Sequence, residues 1–304
     1  MAVVSGRAFR PHPAQAALGL LADRLVGEPP EWLHPVSWFG RLMALAERAG
    51  YRDSRLAGAA YAAAGVLTGA AAGALLRSTA GCTGLAVAGR SLGETARSIA
   101  QALDCGDLNA ARAALPALVG RDPDGLGAEE IARAVVESVA ENAVDAVVAP
   151  AFWAALCGAP GALGYRAVNT LDSMVGHRSA RYRRFGWASA RLDDAVGWVP
   201  ARLTALLVAA ARPERAAAIW QAVRCQAPAH PSPNAGVAEA AFAAALGLRL
   251  GGRNRYGGRV ENRPSLGHGR PPACADIEPA VRLLEEVTWL LTALLAGTGL
   301  AVRR

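Results

Sequence analysis

The chain has 304 residues, a net charge of +7 and a 53% hydrophobic share, and every basic side chain in it is arginine. Without lysine it can form neither the Schiff base of a pyridoxal-phosphate enzyme nor the GK[ST] loop of a P-loop nucleotidase. Guanidinium groups suit phosphates, carboxylates and a cytoplasmic membrane surface, although an Ala-, Arg- and Gly-rich composition also follows from genome base bias.

Residues 1–13 contain Arg7, Arg10, Pro11 and Pro13 and no apolar h-region, so a disordered N-terminal segment without a secretory signal is expected. Leu56–Leu76 is uncharged for about 21 residues, or about 31 Å as a helix, which matches a bilayer core. Ala128–Val148 and Ala235–Leu250 read as Ala-rich helices.

Within the first of these, Glu137, Glu141 and Asp145 recur every four residues, which places them on one helical stripe. An apolar run, Ala146–Gly164, follows directly. Two readings stand side by side: a site that needs a metal or a proton, or a solvated stripe in which Arg133 pairs with Glu137.

Two later stretches are apolar but interrupted. Ala146–Gly164 holds Pro150 and Pro160, and Ala195–Ala211 holds Pro200 and Arg202. The segment between them, Tyr165–Asp194, carries six arginines and should remain cytoplasmic. At least one stretch is therefore predicted to be re-entrant or buried without crossing, so that the polar segments 77–145 and 212–286 share that side. Gly252–Pro272 reads as loop, and Val287–Val302 is an uncharged run of about 16 residues closed by Arg303 and Arg304. The expected fold class is all-α: a polytopic integral membrane protein with partly broken or re-entrant helices and a cytoplasmic face that bears the motifs.

Five cysteines without CxxC spacing and five histidines without HxxxH or HExxH spacing suggest neither a disulfide framework nor a zinc site. A reduced cytoplasmic setting is the simplest reading.

Six polar blocks stand out: LADRLVGEPPEWLHPVSWFGRL (Leu21–Leu42), GRDPDGL (Gly120–Leu126), ESVAENAVDAVVAP (Glu137–Pro150), YRAVNTLDSMVGHR (Tyr165–Arg178), FGWASARLDDAVGWVPARLT (Phe185–Thr204) and HPSPNAGVAEAAFAAALGLRLGGRNRYGG (His230–Gly258). In this order they resemble the CobD/CbiB family of cobalamin-biosynthesis membrane proteins, the adenosylcobinamide-phosphate synthases, from Leu18 to the end. The chain departs from the family pattern at Glu28 (GEP for GDP), Ala143 (ENAVD for ENTVD) and Arg253 (GGRNRY for GGPNRY). A pyridoxal-dependent decarboxylase that shares the CobD name is excluded independently by the missing lysine.

The resemblance implies one membrane domain over 14–304, in the inner membrane with its active face cytoplasmic. It implies a ligase that uses ATP and Mg²⁺ to join adenosylcobyric acid to (R)-1-aminopropan-2-ol O-phosphate. Glu141 and Asp145 are the implied metal ligands, with Glu137 more distant. Asp193 and Asp194 would hold Mg²⁺ or take the ammonium proton, and Asp172 with Asn169 would orient substrate amides or a water. Arg166, Arg178, Arg191 and Arg255 are candidate phosphate clamps, and Asn234 and Asn254 candidate corrinoid contacts. Structural counterparts exist for each: Asp172 with Arg178, Asp193–Asp194 with Arg191, and Asn234 as a helix cap. The tryptophans read as interfacial anchors or core.

The implied partners are the corrinoid, aminopropanol phosphate and membrane lipid, with no nucleic acid. A homo-oligomer or association with other cobalamin-assembly enzymes is left open. Rival classes are a non-catalytic corrinoid-binding scaffold and, ranked last for want of an inverted repeat, a transporter.

Overall fold

The computed structural model describes residues 11–30, 32–177, 179–256 and 259–302, with backbone alone for 255, 256, 259, 260 and 302. Most of the expected N-terminal segment, together with Arg178, Arg303 and Arg304, lies outside the described residues. Alanine and leucine at helical spacing make the described chain overwhelmingly α-helical. In order the helices are α1 (Pro13–Val26), α2 (Pro35–Gly50), α3 (Arg55–Leu76), α4 (Thr79–Ala86), α5 (Gly89–Asp104), α6 (Leu108–Ala114), α7 (Ala128–Ala143), α8 (Ala149–Leu171), α9 (Tyr182–Phe185), α10 (Trp187–Ala211), α11 (Ala216–Cys225), α12 (Ala235–Leu246) and α13 (Ile277–Val302). Strands β1 (Leu250–Tyr256) and β2 (Arg259–Leu266) form an antiparallel hairpin between α12 and α13.

Two helices form the centre. In α7, Ile131, Ala132, Val135, Val136 and Val139 are buried, as are Ala238, Ala240, Ala241, Phe242 and Ala243 in α12. α12 is apolar and buried on most of its surface, whereas α7 buries its apolar side and carries Glu129, Glu130, Arg133, Glu137 and Glu141. The outer helices differ. α3, α10 and α13 turn Leu67, Leu75, Trp198, Leu206, Trp289 and Leu294 outward, and each is long and apolar enough to cross a bilayer, as is the helical run 128–176. Exposed apolar sides on long helices mark a polytopic membrane protein.

The α3–α8 contact is made by small residues. Gly65, Gly69 and Gly73 face α8, and a Cβ on Gly73 would lie 2.3 Å from the Ala159 carbonyl oxygen. Such contacts let two helix backbones touch where lipid offers no hydrophobic drive.

Of the two proline-bearing stretches, only one breaks. In α8, Gly158 adopts φ 68°, open chiefly to glycine, two residues before Pro160. The break divides the apolar run at a point that leaves about 12 residues, or about 18 Å, before it, too short to span alone. The Ala155 carbonyl near the break accepts the His12 backbone N–H at 2.6 Å, and the His12 ring fills the space beside Gly158. By contrast α10 runs unbroken through Pro200. Proline deprives the Val196 carbonyl of its usual partner, and the Trp153 indole N–H donates to it at 3.0 Å.

The segment expected to be loop from Gly252 is largely the β1–β2 hairpin. It lacks apolar alternation, and buried Leu250 and Leu266 anchor its base. Along its first strand the Arg133 guanidinium donates to the carbonyls of Gly251 and Arg253. The Gly257–Gly258 pair between RNRY and RVEN was the available hairpin signal.

Cys105 and Cys225 are exposed, and a chain of contacts runs between the segments that carry them. Gln226 accepts from the Gly267 N–H, Arg249 N–H donates to the Arg270 carbonyl, Arg270 pairs with Asp276, and the Cys274 thiol donates to Ala100. An impermeant thiol reagent is therefore expected to label Cys105 and Cys225 from the same face of the membrane; labelling from opposite faces would contradict this packing. Gly73→Val is expected to lower stability in detergent by roughly 1–3 kcal/mol. Gly297→Ala, with nothing near its Cβ position, should leave the melting temperature unchanged or slightly raised.

Candidate active site

The Glu137–Glu141–Asp145 stripe begins on α7, but the chain around Asp145 is not α-helical. Val144–Val148 is a single π-helical turn, and a second, Asp172–Gly176, follows α8. Each wide turn carries one of the predicted acids, and such turns are frequent at functional sites. The second is held tightly: a Cβ on Gly176 would lie 1.8 Å from Asp172 Oδ1.

Glu137 is neutralised within the protein. Its carboxylate is buried against the Arg121 guanidinium, accepts the Gly251 N–H at 2.8 Å and lies 4.0 Å from Arg133. Arg121 in turn donates to Asn254 Oδ1 at 3.1 Å. Glu137 and Asn254 therefore fasten the hairpin to α7 rather than line an open site. Arg133, the partner foreseen from spacing, contributes less than Arg121, sixteen residues upstream of Glu137.

The other acids are drawn together without such compensation. Asp145 has Glu141, Asp172 and Arg166 as charged neighbours, and receives the Tyr165 hydroxyl at 3.4 Å. Asp193, on α10, faces Asp145, Asp172, Asp194 and the Asn169 amide. Its Oδ1 is buried without a hydrogen-bond partner. Glu141, accessible to solvent, has Arg263 and Arg121 on its far side. Three helical runs thus bring Glu141, Asp145, Asp172 and Asp193 into an arc, with Arg166 beside Asp145 and Arg263 beside Glu141. Among the described residues no three His, Cys, Asp or Glu side chains form a ready-made ion cage.

The remaining candidates divide. Asp194 pairs with exposed Arg191 at 3.2 Å. Asn169 accepts from Arg166 at 3.5 Å. Asn234 does not cap α12; Ser232 Oγ accepts from the N–H groups of Asn234 and Ala235 instead. The Asn234 amide donates to the Asp194 carbonyl at 3.0 Å and accepts from Arg202 at 3.3 Å, so it positions α10. It fits because Gly197 leaves the space. Arg178 is outside the described residues, and Arg255 is described in backbone only.

Residues missed by the sequence reading include Arg121, Arg263, Tyr165 and the pair His230–Glu239. His230 Nε2 lies 3.7 Å from Glu239 and 3.2 Å from Arg263. Burial and the Arg263 charge hold the His230 pKa below its ordinary value, despite a backbone contact at Ser232. Burial, with Glu137 and Glu141 nearby, pushes Glu239 well up.

The chain matches the family model described as CobD/Cbib protein over residues 16–284. It is 50% identical over 281 residues to the Cobalamin biosynthesis protein CobD of Mycobacterium tuberculosis (strain CDC 1551 / Oshkosh), covering 88% of this chain and 89% of that protein. The protein of the same name from Chromobacterium violaceum is 43% identical, with 94% and 96% covered, and that from Klebsiella pneumoniae 40%, with 91% and 94% covered. No solved structure matches the chain.

Removing one partner from a buried ion pair strands the other, whereas replacing both removes the desolvation cost as well. Arg121→Met alone is expected to cost roughly 3–5 kcal/mol of stability. Arg121→Met/Glu137→Leu should cost clearly less, as read by a double-mutant cycle of detergent melting; additive losses would show that the pair is not coupled.

Proposed function

Because this chain belongs to the CobD/CbiB family, we propose that it acts in cobalamin biosynthesis as the amide-forming ligase at the cytoplasmic face of the inner membrane. The reaction joins adenosylcobyric acid to (R)-1-aminopropan-2-ol O-phosphate and converts ATP to ADP and phosphate. The observation that carries this reading is the acid arc, which gathers four carboxylates from three helical runs and leaves them short of cations.

A carboxylate resists amine attack until its oxygen becomes a leaving group. In the proposed sequence the corrinoid carboxylate takes the γ-phosphoryl group and ADP departs. The amine nitrogen then attacks the acyl carbon, the C–N bond forms and phosphate leaves with the C–O electron pair. The donor set of the arc is entirely carboxylate oxygen, which fits Mg²⁺ better than a soft metal. That ion would be held by Glu141 and Asp145 and would supply neutralisation of phosphate charge. It would arrive with the nucleotide, because Mg²⁺ in such sites needs only one or two protein carboxylates.

Asp193, whose Oδ1 has no hydrogen-bond partner, would take the proton that the attacking ammonium must lose. Asp172 and Asn169 hold that carboxyl's surroundings, and Arg191 is available to phosphate from the exposed side of α10. Glu137, Asn234 and Asn254 support these groups from behind.

Purified protein in detergent, supplied with both substrates, ATP and Mg²⁺, should form the amide with one ADP released per product. Chelating Mg²⁺ should abolish turnover. Asp145→Asn and Asp193→Asn should each lower kcat by about 100-fold or more, with the fold retained. Corrinoid binding without turnover would point to a scaffold, and flux across proteoliposomes without ATP cleavage to a transporter.

A further inference from the structure

Beside the acid arc lies a separate cavity of about 300 Å³, lined by Glu28, Pro29, His34, Val36, Ser37 and Arg166. Its walls come from the α1–α2 loop, the first turn of α2 and the cytoplasm-facing block on α8. Glu28 accepts the Ser91 hydroxyl and lies 3.1 Å from His34 Nε2. His34 is itself buried and held by the Val36 N–H, which donates to Nδ1 at 3.2 Å, so the ring proton resides on Nε2. Burial opposes the Glu28 charge, but His34, Ser91 and then Arg166 outweigh it and keep the carboxyl below its usual range.

Arg166 faces two ways. Its charge is felt by Glu28 on the cavity side and by Asp145 on the arc side. Its Nε is buried without a partner, and its only hydrogen bond among the described residues is the 3.5 Å contact to Asn169. A half-buried guanidinium with unspent donors suits an oxyanion. The cavity thus offers an anionic contact and a cationic contact in a space suited to a small molecule and far too small for a corrin macrocycle.

We propose that this cavity is the subsite for the amine substrate, in which Glu28 receives the ammonium group and Arg166 receives the phosphate of a small phosphorylated amino alcohol. The assignment rests on the ligase reading above. It places the nucleophile's seat next to the arc, with Arg166 as the shared wall. It also gives a chemical reason for preferring a phosphorylated amine to a free amino alcohol.

Initial rates of the full-length protein in detergent test this, with aminopropanol phosphate, unphosphorylated aminopropanol, adenosylcobyric acid and ATP varied separately. Glu28→Gln should raise KM for aminopropanol phosphate by about 10- to 100-fold, while KM for ATP and for the corrinoid stays within about twofold. Arg166→Met should erase most of the preference for the phosphorylated amine. Val36→Trp, which fills the cavity without touching a charge, should reproduce the KM effect should Glu28→Gln fail to fold. Aminopropanol phosphate alone should raise the melting temperature of the wild type but not of Val36→Trp, and inorganic phosphate should do so only weakly. Wild-type turnover with an unchanged amine KM in all three variants would overturn the subsite and leave the ligase reading intact. Saturable amine-phosphate binding lost in Val36→Trp, without wild-type turnover, would keep the subsite and overturn the ligase.

Discussion

A carboxylate carried into an apolar helix bundle must find a cation, a set of donors or a proton, because desolvating it alone costs several kcal/mol. The chain places Glu137, Asp145, Asp172 and Asp193 in or against such a bundle, with Glu141 at its solvent-exposed edge, and it solves the problem unequally. Glu137 receives Arg121, Arg133 and the Gly251 N–H, and becomes the clasp that holds the hairpin on α7. The four acids of the arc share Arg166 and Arg263 between them. The same charge that stabilises the fold at one position is left uncompensated a turn further on. This imbalance, rather than the number of acids, sets the arc apart from Glu137.

Backbone polar groups obey a parallel constraint. Each interruption of a helical ladder frees a carbonyl, and inside an apolar bundle that carbonyl must be satisfied by protein. Ala155 is answered by His12, and Val196 by Trp153. These repairs join distant parts of the chain. The first docks α1 onto the break in α8, and the second ties α8 to α10 at the level of Pro200. The π turns at Asp145 and Asp172 belong to the same group of irregularities, and they lie where the acids must be aimed. Local departures from ideal helix are therefore concentrated around the arc.

How far the sequence reveals this depends on separation along the chain. The span at Leu56–Leu76 and the pairing distance of Arg133 from Glu137 are local, and both can be read from spacing. The helices α7 and α12 follow from composition for the same reason. Arg121 as the principal partner of Glu137 was not legible, because α7 must first fold back past the Gly120–Leu126 turn. Nor was the convergence of Asp145, Asp172 and Asp193, which needs α8 to bend at Gly158 and α10 to pack across it. The hairpin was hidden by its arginines and asparagines, which pair with α7 instead of forming an apolar face. Asn234 reads as a cap in sequence because the alternative partner, the exposed backbone of α10, is about forty residues away.

The absence of lysine has a physical consequence beyond composition. A lysine beside a buried carboxylate can hand over its proton and leave a neutral pair, since burial lowers its pKa. Arginine does not make that exchange. At Glu137 the Arg121 guanidinium keeps its charge, donates to two acceptors at once and orients Asn254 through the second. At Arg166, half-buried between Glu28 and Asp145, the same permanence keeps a positive charge where a lysine could have become a neutral amine. A seam built only from guanidinium groups stays ionic even in a low-dielectric setting.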